Sequence, residues 1–149
     1  SLLSGWSAGN LIYSPLATNN LFSPESTNEH FHQMNFSWNL LNVGIAGLGH
    51  IIVNKDSKKP WDMKTLYDKK KKAEKSIIIN MGLDLAYMVT GLLLKNNAQK
   101  NSSEHSMNKG YGNSLILQGG YLLFYDAIFL MKLKKILIKK KSNKVEVTK

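Results

Sequence analysis

The sequence contains no cysteine and no arginine, and all 20 of its basic residues are lysines. The lack of cysteine excludes disulfides, thiolate zinc sites and cysteine nucleophiles. The 149 residues also contain no nucleotide-binding glycine loop, no zinc-protease motif and no serine-nucleophile elbow. No complete catalytic set remains, so an enzyme is the least favoured class of function, and no cofactor is expected.

Charged residues are scarce in long stretches of the chain, although the formal net charge is +10. Residues 31–53 contain no charged residue, 76–94 contain only Asp84, and 110–131 contain only Asp126. At about 1.5 Å per residue, each stretch is long enough to cross the roughly 30 Å hydrocarbon core of a bilayer. Buried helices of soluble proteins are usually shorter, about 10–14 residues. These three stretches therefore predict transmembrane helices.

The N-terminal stretch is uncharged but less apolar, and Pro15 interrupts it. Proline is tolerated in a membrane helix when neighbouring groups satisfy the freed carbonyl. We therefore predict an all-α fold, a transmembrane four-helix bundle over residues 1–131, with a basic cytoplasmic tail over 132–149. The predicted spans are about 1–22, 31–53, 76–94 and 110–131.

The lysines are unevenly divided among the connecting segments. Residues 23–30 have none, 54–75 have nine, 95–109 have three, and the tail after Met131 has eight. Cytoplasmic loops of membrane proteins are enriched in lysine and arginine. The segment 54–75 and the tail are thus expected in the cytoplasm. Both termini are then on the cytoplasmic side, and we expect a multi-pass protein of the bacterial inner (plasma) membrane.

The basic segment between the second and third spans contains a helix-start pattern at Pro60, Trp61 and Asp62. Its residues Trp61, Leu66 and Tyr67 are candidates for the headgroup region. Four consecutive lysines are predicted to contact anionic lipid headgroups: Lys69, Lys70, Lys71 and Lys72. The alternative is a solvated loop whose charge only fixes topology. Nucleic acid is not expected as a partner, because no stacking motif accompanies the charge.

Polar residues within the spans recur every three or four residues, which places them on one face of each helix. In lipid these faces are expected to point at one another, because an unpaired polar group there costs several kcal/mol. On the second span they are His32, Asn35, Asn39 and Asn42. On the third they are Asn80, Asp84, Tyr87 and Gly91. On the fourth they are Tyr111, Ser114, Gln118, Tyr121 and Tyr125.

Asp84 is expected near the bilayer midplane, where a carboxylate costs on the order of 3 kcal/mol. No lysine lies at its depth, so we expect it to be hydrogen-bonded, protonated or in contact with water. Asp126 and His50 are expected nearer the cytoplasmic side, as a second pair. One interpretation is a site for a small solute, ion or proton. The other is a hydrogen-bond network that only fastens the helices.

Histidines give no metal or haem site. Glu29 and His32 match half of a di-iron carboxylate motif, but no second Glu-x-x-His occurs. Small residues, including the pair Gly5 and Gly9, are typical of close helix contacts in membranes.

Several runs of the sequence resemble a family of small bacterial integral membrane proteins of unknown function. They include His32-Gln33-Met34-Asn35, Asn42–Gly49, Asn80–Asp84 and Gly110-Tyr111-Gly112. The resemblance covers nearly the whole chain except the lysine-rich tail. It implies a four-helix membrane fold and no particular activity.

Two function classes follow. The first is a bundle that binds or passes a small solute, ion or proton through a polar interior. Its candidate residues are Asp84, Asn80, Tyr87, Asn35, Asn39, Asn42, Gln118, Tyr121, Asp126 and His50. The second is a structural or assembly protein that packs against partner membrane subunits or further copies of itself.

Overall fold

The computed structural model describes residues 2–57, 62–98 and 104–146, with side chains for all of these except 46, 48–57 and 136–146. The described residues form four helices, as predicted. They are α1 (Leu2–Ala17), α2 (Thr27–Ser57), α3 (Met63–Asn97) and α4 (His105–Glu146).

The turn between α1 and α2 ends in a reciprocal N-cap. The Ser26 hydroxyl accepts a hydrogen bond from the Glu29 backbone N–H at 3.3 Å, and the Glu29 carboxylate accepts one from the Ser26 N–H at 2.9 Å. The Glu25 N–H and the Asn20 amide also donate to this carboxylate. This is the Ser-x-x-Glu capping box, which satisfies donors that a helix start leaves free. These bonds, led by the one from the Ser26 backbone, lower the pKa of Glu29 to about 2.

Helix α3 begins well before the third predicted span. Asp62 is its N-cap and accepts a hydrogen bond from the Thr65 N–H at 3.0 Å, which confirms the predicted helix start. This bonding with Thr65 also lowers the pKa of Asp62. The lysine-rich segment 64–75 is therefore helical and continuous with the apolar segment that follows. Likewise α4 continues past Met131 to Glu146. Trp61 lies outside the described residues.

Helix α4 packs against both α3 and α2, and α1 packs against α2. Its contact with α3 is antiparallel and very close at two levels. A Cβ built on Gly112 would lie 2.6 Å from the Gly91 carbonyl oxygen, and one on Gly119 would lie 2.8 Å from the Asp84 carbonyl oxygen. The two contacts are separated by seven residues on each helix, from Gly112 to Gly119 on α4 and from Asp84 to Gly91 on α3. Only glycine lets the two backbones approach this closely.

The interior of the bundle is polar and its surface is apolar. Three hydrophobic residues are buried among the described ones, namely Leu21, Ile77 and Leu115. Large apolar side chains on all four helices are exposed, including Ile12, Leu40, Leu85 and Phe124. Most of the buried side chains are polar: Ser7, Ser14, His32, Asn35, Asn39, Asp84, Ser114 and Gln118. This is the reverse of the distribution in water-soluble proteins.

Two helical segments of the described chain are long and apolar enough to cross a membrane, Met63–Asn97 and His105–Lys135.

Candidate functional site

A closed circuit of hydrogen bonds joins α1, α2 and α4 in the interior. The Trp6 indole N–H donates to Gln118 Oε1 at 3.1 Å, and the Gln118 amide donates to Asn35 Oδ1. The Asn35 amide donates in turn to Asn10 Oδ1, and the Asn10 amide donates to the Trp6 carbonyl oxygen at 2.9 Å. The circuit thus begins and ends at Trp6. Each of the three amide side chains donates one hydrogen bond and accepts one within the circuit.

Contacts on either side hold this circuit in place. The Trp6 ring stacks on Tyr121, with ring centroids 4.0 Å apart and 8° between the planes. The Tyr121 hydroxyl donates to the Leu2 carbonyl oxygen at 2.9 Å, which fixes the start of α1 against α4. On α2, the Asn39 amide donates to the Asn35 carbonyl oxygen at 2.7 Å. The amide of Asn39 is therefore tied to the circuit, and its Oδ1 atom remains without a partner.

Asp84 lies on α3 next to this circuit. Its backbone contacts Gly119, which follows Gln118 in α4, and its side chain is only 4% exposed. The Oδ2 atom is buried without a hydrogen-bond partner. One turn along α3, the Tyr87 ring makes an edge contact at 4.9 Å with Trp38 of α2, the residue before Asn39. The Asp84 carboxyl group and the polar residues of α2 and α4 therefore lie at one level of the bundle.

The remaining predicted site residues are placed differently. Asn42 is half-buried and its Nδ2 atom has no partner, whereas Asn80 is exposed on the outer side of α3. The buried positions of α3 are seven residues apart, at Ile77, Asp84 and Gly91, and this narrow seam leaves Asn80 outside. Asp126 is half-buried and lies seven residues after Gly119 on α4. The side chain of His50 lies outside the described residues.

Trp6, Ser7 and Ser14 belong to the interior but were not predicted as site residues. Ser7 and Ser14 are almost fully buried, and Trp6 supplies the only indole of the circuit. The signal for the serines was present, because Ser7, Asn10 and Ser14 follow one another at spacings of three and four. Trp6 carried no such signal, since a tryptophan near a helix end is common in membrane proteins for other reasons.

Eight buried polar atoms have no hydrogen-bond partner within the described part of the chain. They are Ser7 Oγ, Ser14 Oγ, His32 Nδ1, Trp38 Nε1, Asn39 Oδ1, Asn42 Nδ2, Asp84 Oδ2 and Ser114 Oγ. Native proteins leave few such atoms, and most that they do leave bond to ordered water or a ligand. The described residues hold no group of three or more metal-ligating side chains.

A groove of about 360 Å³ lies at the end of the bundle formed by the α1–α2 turn. Its walls come from the end of α1, the turn and the first turn of α2, and they include Ala17, Asn20, Asn28 and Glu29. Its position one helical turn before His32 places it at the N-terminal end of the polar face of α2.

A model of a family of unknown function, DUF6992, matches residues 2–127 of the chain. The chain belongs to the DUF6992 family. The match covers α1 to α3 and most of the apolar part of α4, so the whole hydrogen-bond circuit and Asp84 fall inside the DUF6992 region. No curated protein and no solved structure matches the chain. Membership in DUF6992 therefore supports the prediction of a family of unknown function and adds no activity to it.

Proposed function

We propose that the protein is an integral membrane protein whose four helices cross the bilayer and whose polar interior binds a small cation, with the Asp84 carboxyl group as its principal ligand. The reversed polarity of the bundle carries this proposal. In water, the exposed leucines, isoleucines and phenylalanines would favour association, and the buried amides and carboxyl group would each cost free energy. In lipid the same arrangement is favourable, because polar groups must find partners inside.

The register of α3 and α4 supports the same conclusion. Gly91 faces Gly112 and Asp84 faces Gly119, so Lys95 and Lys109 lie within one residue of the same level. At the other end, Lys75 and Lys132 bound the lysine-free segments of the two helices. The 19 residues between Lys75 and Lys95 cover about 29 Å, which matches the hydrocarbon core.

Depth follows from this register. Asp84 is nine residues from Lys75 and eleven from Lys95, which supports a position near the bilayer midplane in the proposed arrangement. The positive-inside rule assigns the lysine-rich end, with the N-terminus of α3 and the C-terminus of α4, to the cytoplasm. The α1–α2 groove then faces the opposite side of the membrane.

A cation is the ligand that the chemistry of this interior favours. Asp84 Oδ2 is an unpartnered acceptor, and Asn39 Oδ1, Ser7 Oγ and Ser114 Oγ are further oxygen atoms without a partner. Oxygen atoms of carboxylate, amide and hydroxyl groups suit hard cations or a proton. No lysine occurs on α1, and none lies between Lys75 and Lys95 to neutralise Asp84. Ionisable residues at this depth of a membrane are most often part of an ion or proton pathway.

The test is flux through proteoliposomes that contain the full chain. Vesicles loaded with a pH-sensitive dye report proton movement under a potassium diffusion potential, and radioactive sodium and rubidium report the alkali cations. We expect one of these ions to move faster than in empty vesicles, and Asp84→Asn to reduce the excess about tenfold or more. Asp68→Asn makes the same change in the basic segment and should leave the flux unaltered. Equal flux in wild type, Asp84→Asn and empty vesicles would overturn the cation proposal.

Membrane insertion and orientation have separate tests. A reporter fused after Lys149 should be active only in the cytoplasm, and the protein should remain in the membrane fraction after alkaline washing. A reporter signal from outside the cell would reverse the proposed orientation.

The basic end of the bundle is proposed to contact anionic lipid headgroups. Lys71 and Lys72 are exposed on α3 within about 6 Å of Lys75 along the helix axis, while Lys70 pairs with Glu74 at 3.0 Å. Weaker binding of the Lys71→Gln, Lys72→Gln variant to vesicles rich in phosphatidylserine, relative to neutral vesicles, would support this contact.

The exposed glycines of α1 favour a second function, assembly with another membrane helix. Added Cβ atoms at Gly5 and Gly9 would meet nothing within 4 Å, so this small-residue face of α1 is open. Gly9→Leu should then lower the oligomeric state measured by subunit counting in bilayers. Gly82→Leu, at an equally open glycine of α3, should not. A monomeric wild-type protein would exclude self-assembly.

A further inference from the structure

Two polar faces form a seam between α1 and α2 that runs from the outer groove to the hydrogen-bond circuit. Both faces follow spacings of three and four residues, so each remains on one side of its helix. On α1 the polar residues are Ser14, Asn10 and Ser7, which continue the spacing from Ala17 at the groove, and on α2 they are Asn28, His32, Asn35 and Asn39. Ala17 and Asn28 line the groove, and Asn10 and Asn35 belong to the circuit.

The part of this seam nearest the groove is buried and incompletely hydrogen-bonded. His32 is 5% exposed and its Nδ1 atom has no partner, and Ser14, which is fully buried, has an unpartnered Oγ. Tyr13 lies edge-on to the His32 ring at 5.6 Å, so α1 and α2 are in contact at this level. Buried polar atoms of this kind are normally completed by water, which requires at least two polar neighbours. Ser14 Oγ and His32 Nδ1 are two such atoms, on the packed helices α1 and α2 below the groove.

The seam continues past the circuit towards Asp84. Ser7 Oγ on α1 and Asn39 Oδ1 on α2 are again buried without partners. Asn39 follows Trp38, whose ring contacts Tyr87 one turn from Asp84. Unpartnered polar atoms therefore occur at successive levels from the groove to the carboxyl group.

We propose that this seam is a water-containing access route, through which a small cation reaches Asp84 from the α1–α2 end of the bundle, with His32 as the first buried polar contact. This inference rests on the proposed function and adds its direction and path. The electrostatics of this end favour a cation. Residues 1–54 contain no lysine, and their two acidic residues are Glu25 and Glu29, of which Glu29 lines the groove. A surface whose charges share one sign raises the local concentration of ions of the opposite sign.

The cysteine-free chain allows a direct test with single cysteines and silver ions. Silver ions are small monovalent cations, and they react with thiols where water gives access and the thiolate can form. Ser14→Cys and Ser7→Cys are nearly isosteric changes in the seam, and Asn28→Cys reports the groove. Leu40→Cys is the matched control, since Leu40 follows Asn39 on α2 but is 57% exposed on the apolar surface. Thiols left unreacted are counted by mass spectrometry after denaturation and alkylation.

In proteoliposomes, we expect silver to react at both seam positions within about tenfold of the rate at Asn28→Cys, and about a hundredfold more slowly at Leu40→Cys. His32→Phe should slow the reaction at Ser7→Cys about tenfold or more, because it closes the route, without changing the rate at Asn28→Cys. Seam cysteines that react as slowly as Leu40→Cys would overturn the inference.

The two proposals can fail separately. A reactive seam together with flux that is insensitive to Asp84→Asn would retain the route and reject the cation function. An unreactive seam together with flux that depends on Asp84 would retain the function and reject this route.

Discussion

Gly119 of α4 lies against the backbone of Asp84 so closely that a Cβ atom at this position would be 2.8 Å from the Asp84 carbonyl oxygen. The Cγ of Met88 would be equally close. We expect Gly119→Ala to push α3 away from α4 and to lower the free energy of unfolding by about 1–3 kcal/mol, the usual cost of overpacking. Reversible unfolding of the protein in mixed micelles, followed by helix content, measures this change.

The neighbouring glycine provides the control. A Cβ at Gly120 would meet nothing within 4 Å, so Gly120→Ala should be neutral or stabilise the helix by up to about 1 kcal/mol. Equal destabilisation by the two substitutions would contradict the close approach of α3 and α4 at Gly119.

The hydrogen-bond circuit predicts a second difference between two identical substitutions. Asn35→Leu leaves the Gln118 amide without its acceptor and Asn10 Oδ1 without its donor. Interhelical hydrogen bonds in membranes contribute about 0.6–2 kcal/mol each, so we expect Asn35→Leu to cost roughly 1–3 kcal/mol in the same unfolding measurement.

Asn80→Leu makes the same chemical change on the exposed side of α3. It should leave stability unchanged or raise it, because the leucine would face lipid. If Asn80→Leu proves the more harmful of the two, the circuit is not the main polar contact among the helices.

The capping box makes the α1–α2 turn sensitive to acid. Three hydrogen bonds to the Glu29 carboxylate, led by the one from the Ser26 backbone N–H, lower its pKa from 4.5 to about 2 in the folded protein. Because the folded pKa is the lower one, the carboxylate stabilises the fold fully above pH 4.5. That contribution is lost as the pH falls from 4.5 towards 2. Carbon-detected NMR titration of the Glu29 side chain in micelles should give a midpoint near 2.

Asn20→Ala removes one of the donors to this carboxylate and should raise the measured midpoint. Glu29→Gln should abolish the acid dependence of the turn altogether. A midpoint near 4.5 in the unmodified protein would show that the capping box does not form.

Much of the fold could be predicted because charge and its absence mark the ends of helices. The lysine-free stretch 76–94 and the helix-start pattern at Pro60, Trp61 and Asp62 correctly indicated α3, and the spacing of His32, Asn35 and Asn39 correctly identified the buried face of α2. Helices α3 and α4 extend beyond the predicted spans, because those spans are bounded by the change from apolar to basic residues. Lysine is a good helix former, so α3 and α4 continue through that boundary.

The candidate site was less predictable. Asn80 shares a helical stripe with Asp84, yet it is exposed, since the α3 seam repeats every seven residues and is narrower than the stripe. The role of Trp6 depends on its contacts with Gln118 of α4 and with Asn10 of its own helix. Spacing within one helix contains no information about such contacts between helices.

The indole of Trp6 has a consequence for how charge can move through the interior. An indole nitrogen donates a hydrogen bond and cannot accept one, so it fixes the order of donors and acceptors around the whole circuit, from Gln118 to Asn35 to Asn10. In a chain of hydrogen bonds that relays protons repeatedly, the order of donors and acceptors must reverse after each transfer. In this circuit that order is fixed and cannot reverse. The circuit is therefore an insulator at the centre of the bundle. If the interior passes protons or ions as proposed, we expect them to use the unpartnered hydroxyl, imidazole and carboxyl groups beside the circuit.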